Sequence, residues 1–139
     1  MKKIILVESE PTQVSIYRHM LQKTDFDVEL AAGRTEMLEE LRDIRMGVSP
    51  KPDLVILDFM LADGHGIDVL KAIKKHALTK DIPVFAITNY SNPDNDSRIR
   101  EHGITPERYM IKANYTPDQI LGAINERLLP SKKVDVTLS

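Results

Sequence analysis

One short apolar run that ends in a carboxylate does most to limit how this chain can fold. Residues 54–57 are apolar, Asp58 follows them, and a glycine-containing loop extends to Gly66. The run is too short for a helix and has no polar alternation, so it predicts a strand of a parallel sheet, buried on both faces. Ligands of open parallel sheets bind beyond the carboxyl ends of the strands. Asp58 is therefore a candidate site residue, although by itself it could equally start an ordinary turn.

Three further apolar runs end in polar side chains whose chemistry is complementary to that of Asp58. In chain order, the residues that follow these runs are Glu8, Ser9, Thr88 and Lys112. If the strands are parallel neighbours, their ends meet at one edge of the sheet and surround one pocket. Carboxylates suit a hard cation such as Mg²⁺, whereas an ammonium group and a hydroxyl suit phosphate oxygens. A carboxylate that faces both is a candidate nucleophile, which would form an aspartyl phosphate.

In this arrangement of strand ends the chain resembles the receiver domain of two-component response regulators, over residues 3–129. The family pattern is an acidic pair after the first strand, an aspartate after the third, a serine or threonine after the fourth and a lysine after the fifth. The resemblance implies that Asp58 accepts a phosphoryl group from a histidine kinase or a phosphotransfer protein. It further implies that Thr88 hydrogen-bonds the phosphate, that Lys112 pairs with it, and that Tyr109 is the aromatic residue that changes rotamer on activation.

The same resemblance implies a Mg²⁺ site. Its ligands would be Glu8, Asp58 and the backbone carbonyl of Met60, with Ser9 at a position where the family usually has a second acidic residue. Because a hydroxyl brings no charge, and hard-cation affinity depends on ligand charge, we expect weakened Mg²⁺ binding. Glu10 is the next acidic residue, but it precedes a proline and can therefore point away from the site.

Strand-like and helix-like segments alternate along the chain, which favours an α/β fold with a parallel sheet covered on both faces. The resemblance implies a flavodoxin-like, doubly wound (βα)5 three-layer sandwich with strand order 2-1-3-4-5. The clearest helix start is a capping box that begins at Thr116, and a polar loop predicts a fourth helix shortened to about 96–102. The predicted strands lie near residues 3–7, 27–31, 54–58, 83–88 and 107–111.

The composition is that of one small domain. The chain has 139 residues, a formal net charge of −2 and no cysteine. The charge gives no basic footprint for direct nucleic-acid binding, the missing cysteines exclude disulfides and thiolate metal sites, and the apolar runs are too short to span a membrane. We therefore expect a cytoplasmic protein. The resemblance places a receiver domain at 1–129, followed by a C-terminal tail or linker start at 130–139, and we expect a monomer or weak homodimer.

Ala113 follows Lys112 where the family usually has a proline, whose cis peptide bond aims the lysine. A cis bond before any other residue costs roughly 3–4 kcal/mol. Either the 112–113 bond is trans and the loop differs, or a strained cis bond is kept at a functional site. The family geometry favours the cis bond.

Tyr90 would flank an acyl phosphate on Asp58 together with Met60. Two bulky side chains there would exclude the hydrolytic water, which predicts a long-lived phosphoryl state. The alternative is that Tyr90 simply lies on the surface.

Three functions compete. The leading one is a phosphoaccepting switch, not a metabolic enzyme, whose output is the face made by the fourth helix, fifth strand and fifth helix. The second is a phosphorylation-independent pseudo-receiver that binds proteins, favoured by Ser9 and Ala113. The third is a flavodoxin-like enzyme or nucleotide binder, which the lack of a glycine-rich phosphate loop after any predicted strand argues against.

Overall fold

Five parallel strands form the central sheet of the computed structural model, which describes residues 1–89 and 93–129 and, within 93–96, only the backbone. The sheet strands are β1 (Lys3–Val7), β2 (Asp27–Ala31), β3 (Leu54–Asp58), β4 (Val84–Thr88) and β5 (Arg108–Ile111). Their order in the sheet is β2-β1-β3-β4-β5, as predicted. A short antiparallel hairpin after β3 pairs Met60–Leu61 with Gly64–His65.

Helices cover both faces of this sheet, which gives the expected three-layer, flavodoxin-like sandwich. The helices are α1 (Pro11–Leu21), α2 (Arg34–Arg45), α3 (Gly66–Lys74), α4 (Pro93–His102) and α5 (Pro117–Leu128). Helices α1 and α5 pack on one face, and α2, α3 and α4 contribute to the core on the other. Among the described residues, no helix is both long enough and apolar enough to cross a membrane.

Helix α4 begins at Pro93, earlier than the predicted start near residue 96. The polar composition of the preceding segment suggested a longer loop. Proline is well suited to the first position of a helix, because its fixed φ is helical and its missing N–H would have no intrahelical partner there. The predicted tail at 130–139 lies outside the described residues.

The three central strands are buried along their whole length, which confirms the interpretation of the apolar runs. Alternate residues serve opposite faces: Ile5 and Val7 belong to the core under α2 and α3, whereas Ile4 and Leu6 belong to the core under α1 and α5. This two-sided burial explains why the strands show no polar alternation.

The strand register brings the polar ends level with one another. Val7 pairs with Leu57, and Thr88 pairs with Ile111, so β1, β3, β4 and β5 end at the same edge of the sheet. The residues at or just beyond these ends are Glu8, Asp58, Thr88 and Lys112. The fold therefore delivers all four predicted side chains to one edge.

Candidate functional site

Two carboxylates and one ammonium group form the centre of the site. The Nζ of Lys112 donates a hydrogen bond to Oδ2 of Asp58 at 2.9 Å and lies 3.6 Å from Oε1 of Glu8. Both carboxylates are buried, with Glu8 1 % and Asp58 5 % exposed. One cation shared between two carboxylates leaves an excess of negative charge in the pocket. This excess is unfavourable because burial penalises the charged form of a carboxyl group.

The unfavourable electrostatics of the pocket act most clearly on the carboxyl group of Glu8. Burial, and after it the neighbouring Asp58, raise the pKa of the Glu8 carboxyl to about 7, although Lys112 acts in the opposite direction. Its Oε2 accepts hydrogen bonds from the backbone N–H groups of Ser9 and Glu10 at 3.0 and 3.4 Å. In the described part of the chain its Oε1 is buried without a hydrogen-bond partner.

This oxygen has the chemistry of a ligand for a hard cation. Oε1 of Glu8 has the Lys112 ammonium only at 3.6 Å and accepts no hydrogen bond from the described residues, and Asp58 supplies a second carboxylate beside it. Mg²⁺ accepts few protein ligands and keeps several waters. Within residues 1–89 and 93–129, however, no cluster of three or more acidic, histidine or cysteine side chains is placed to hold a metal. The donor set thus suits Mg²⁺ in kind and is poor in charge.

The side chain of Glu10 caps the N-terminus of α1. Its Oε1 and Oε2 accept hydrogen bonds from the N–H groups of Thr12 and Gln13 at 3.1 and 2.9 Å. These contacts cap the first turn of α1, and they lower the pKa of the Glu10 carboxyl.

Ser9 connects three loops. Its hydroxyl donates to the carbonyl oxygen of Ala32 at 2.7 Å and accepts from the N–H of Ala62 at 3.1 Å. Ala32 lies in the loop after β2, and Ala62 lies in the loop after the phosphoacceptor candidate Asp58. The hydroxyl is therefore engaged with two backbone groups.

The backbone after Asp58 is held close to its side chain. The N–H of Met60 donates to Oδ1 of Asp58 at 2.7 Å, and the N–H of Gly66 donates to the carbonyl of Phe59 at 2.9 Å. A Cβ at Gly66 would lie 2.7 Å from the Cα of Phe59 and closer still to the carbonyl oxygen of Asp58. Only glycine lets α3 begin this near the site. The Met60 side chain is about half exposed.

The predicted switch residues lie on the neighbouring strands. Thr88 is buried at the end of β4. On β5, the ring of Tyr109 packs edge-on against Phe59, with centroids 5.5 Å apart and an interplanar angle of 73°. Tyr90, the predicted shield, lies outside the described residues.

The peptide bond between Lys112 and Ala113 is trans, so the expectation of a cis bond was wrong. Residues Lys112–Asn114 form one turn of 3-10 helix instead. The ammonium group reaches Asp58 from this turn without a cis bond, and the chain avoids the cost that a cis bond before alanine would carry.

Asp63 has a role that the sequence did not reveal. Its carboxylate accepts hydrogen bonds from the N–H groups of Arg34 and Thr35 at 2.7 and 2.9 Å, and so caps α2 from a different loop. These hydrogen bonds lower the pKa of the Asp63 carboxyl. Gly33 precedes α2 and offers no side-chain cap of its own, which was the one available signal.

A family model described as the response regulator receiver domain matches residues 4–125. The chain belongs to this family. The match covers every element from β1 into α5, and receiver domains are signalling modules of two-component systems.

Two curated relatives of this receiver domain differ in how much of their own length it matches. It is 27 % identical over 123 residues to the phosphate regulon transcriptional regulatory protein PhoB of Klebsiella pneumoniae, covering 88 % of this chain and 50 % of PhoB. It is 26 % identical over 116 residues to the polar-differentiation response regulator DivK of Brucella anthropi, covering 84 % of this chain and 88 % of DivK. This receiver domain thus spans about half the length of PhoB.

Solved structures agree in fold. The phosphorylated cyanobacterial phytochrome response regulator RcpA superposes with a TM-score of 0.78 at 26 % identity, covering 92 % of this chain and 94 % of RcpA. A CheY-like receiver domain protein from Methanospirillum hungatei gives a TM-score of 0.75 at 23 % identity, with 94 % and 95 % coverage. The second likeness concerns the fold alone.

Proposed function

We propose that this receiver domain accepts a phosphoryl group on Asp58 from a histidine kinase or a phosphotransfer protein, and that it acts as a switch, not as a metabolic enzyme. The observation that carries the proposal is the pair of buried carboxylates, Asp58 and Glu8, with the half-buried ammonium group of Lys112 beside them at the end of the sheet. The family match and the level strand ends support it.

The transfer itself needs a nucleophile and charge neutralisation. An oxygen of Asp58 forms the new P–O bond, while the P–N bond of a phosphohistidine donor breaks and its electron pair returns to the imidazole. Lys112 would pair with the phosphoryl oxygens, since its ammonium group already contacts Oδ2. The buried hydroxyl-bearing Thr88 would hydrogen-bond the phosphoryl group from β4.

A divalent cation would be held by Glu8, Asp58 and the carbonyl of Met60. When bound, Mg²⁺ supplies positive charge to the phosphoryl oxygens. The position of Ser9 carries no carboxylate, so we infer weaker Mg²⁺ binding than two acidic residues after β1 would give.

The output surface in this proposal is the face made by α4, β5 and α5. Tyr109 lies on β5 beside Phe59, which follows the phosphoacceptor directly, so a change at Asp58 has a short packed path to this face. The output partner would be a protein and not a nucleic acid. We further propose that the domain acts in the cytoplasm as a monomer or weak homodimer.

One alternative has specific support. The Ser9 hydroxyl is engaged with the backbone of Ala32 and Ala62, and no cluster of three metal-binding side chains is present in the described residues. These observations favour a phosphorylation-independent pseudo-receiver, a protein-binding module that has kept the fold.

Intact-mass spectrometry after incubation with acetyl phosphate separates the two functions. The wild type should gain one phosphoryl group only with Mg²⁺, and Asp58→Asn should gain none. Asp81→Asn, which alters an exposed carboxylate elsewhere, should behave as the wild type. An unmodified wild type at millimolar Mg²⁺ would favour the pseudo-receiver.

A further inference from the structure

We propose that Ser9 is a positioning residue that holds the loop after Asp58, and that it is not a metal ligand. The proposal deepens the proposed function, on which its role in phosphoryl transfer rests. It starts from the two hydrogen bonds of one hydroxyl, which donates to Ala32 at 2.7 Å and accepts from Ala62 at 3.1 Å.

A hydroxyl is suited to this position because it donates and accepts at once. The carbonyl of Ala32 accepts from this hydroxyl and the N–H of Ala62 donates to it, and both hydrogen bonds lie at the exposed edge of the site. A carboxylate can only accept, and an alanine can do neither. The hydroxyl at residue 9 therefore makes both contacts at once, whereas an acidic residue could make only the one with the N–H of Ala62.

A second contact holds the loop that follows Asp58, this time to the start of α2. Next to Ala62, the carboxylate of Asp63 caps the first turn of α2 through the N–H groups of Arg34 and Thr35. The loop is thus tied to the β1 side by Ser9 and to α2 by Asp63. Both ties lie within five residues of the phosphoacceptor Asp58.

What this loop carries makes its position matter. Its first part includes Met60, whose N–H donates to Oδ1 of Asp58 at 2.7 Å and whose carbonyl is the proposed metal ligand. A carbonyl that is already held in place favours cation binding more than a mobile one, because no free energy is spent on ordering it when the cation binds. This contribution matters in a pocket whose ligands carry little charge. Ser9 thereby supports the site through geometry in place of charge.

Amide hydrogen exchange measured by NMR on the full chain, without metal or phosphodonor, tests the proposal. In Ser9→Ala, the Ala62 and Met60 amides should exchange about three- to tenfold faster, which corresponds to the loss of one ordinary hydrogen bond. Ser9→Thr keeps the hydroxyl and should stay within about twofold of the wild type. Unchanged exchange in Ser9→Ala would overturn the proposal.

Thr24→Ala is a matched control. The Thr24 hydroxyl also donates to a carbonyl, that of Leu21, and accepts from an N–H, that of Phe26, at 2.6 and 3.3 Å. Its loss should speed exchange at Phe26 and leave Ala62 and Met60 unaffected. Circular dichroism of each variant checks that the fold is retained.

The rate of phosphoryl adduct formation from acetyl phosphate gives the functional arm. Ser9→Ala should react about three- to tenfold more slowly than the wild type, and Ser9→Thr should restore the rate. Faster exchange with an unchanged rate would show that the loop position does not matter for the reaction, and would refute the positioning role. If the wild type forms no adduct, the proposed function fails, while the exchange results still decide whether Ser9 holds the loop.

Discussion

Lys112 donates to Asp58 at 2.9 Å while it also faces Glu8 at 3.6 Å, so two buried carboxylates share one ammonium group. Removal of this cation leaves both charges without their partner. Breaking a buried ion pair lowers the stability of a fold more than breaking an ion pair on the surface does. Lys112 is partly open to water, and this reduces the effect.

Lys112→Gln should therefore lower the free energy of unfolding by about 2 kcal/mol at pH 8. Urea titration measures this. In a Glu8→Gln background the same substitution should cost clearly less, because one carboxylate then no longer needs the cation. Lys71→Gln, which alters an exposed lysine on α3, is the control and should stay within about 0.5 kcal/mol of the wild type. Equal losses for Lys112→Gln and the control would contradict the prediction.

The pH dependence of stability follows from Glu8. The folded-state pKa is raised to about 7 from an ordinary value of 4.5, so the folded protein favours the protonated carboxyl. This stabilising contribution is fully present below pH 4.5 and is lost as the pH rises through about 7. Without divalent metal, the wild type should lose on the order of 2 kcal/mol between pH 5 and 8, since solvent screening reduces the full effect.

Glu8→Gln provides the comparison for this pH series. The variant has no charge to acquire at this position, so most of the loss between pH 5 and 8 should vanish. A slope equal to that of the wild type would show that another group is responsible.

Gly66→Ala should destabilise the fold by about 1–3 kcal/mol. The added Cβ would meet only backbone, at Phe59 and Asp58, and backbone cannot move aside cheaply. Gly122→Ala on α5 is the matched control: nothing lies within 4 Å of its Cβ position, and alanine should stabilise the helix by about 0.5–1 kcal/mol. Thermal unfolding of the two variants should shift in opposite directions, and a shift in the same direction would count against the close approach at Gly66.

The edge-on contact of Phe59 and Tyr109 should appear as a coupling energy. A double-mutant cycle of Phe59→Leu and Tyr109→Leu should give about 0.5–1.5 kcal/mol, the usual value for such an aromatic pair. Tyr115→Leu removes a ring that packs on the other face of the sheet, so it should be additive with Phe59→Leu. Additivity of Phe59→Leu with Tyr109→Leu would rule out the contact.

The central strands could be predicted because each is a continuous apolar run with a polar residue at its end, whereas their order was implied by the family resemblance. Such a run has few alternatives in a small α/β domain. The grouping of Glu8, Asp58, Thr88 and Lys112 at one edge followed from that sheet, since parallel strands end together.

Contacts made through backbone groups could not be predicted. The partners of Ser9 are a carbonyl and an N–H, which every residue type but proline possesses, so the sequence holds no mark of them. The cap that Asp63 provides joins residues almost thirty positions apart, whereas helix-start patterns are local. Prediction of the trans bond before Ala113 would have required knowing that the lysine can reach Asp58 from a trans backbone, which only the folded loop reveals.

The two bonds of the Ser9 hydroxyl also limit how the site can change by mutation. An aspartate at residue 9 would add the charge that a cation favours, yet it would face the carbonyl of Ala32 with no proton to offer. Gain of ligand charge and loss of a hydrogen bond would therefore arrive in the same step. A single aspartate substitution at residue 9 would exchange a hydrogen bond between two loops for added ligand charge.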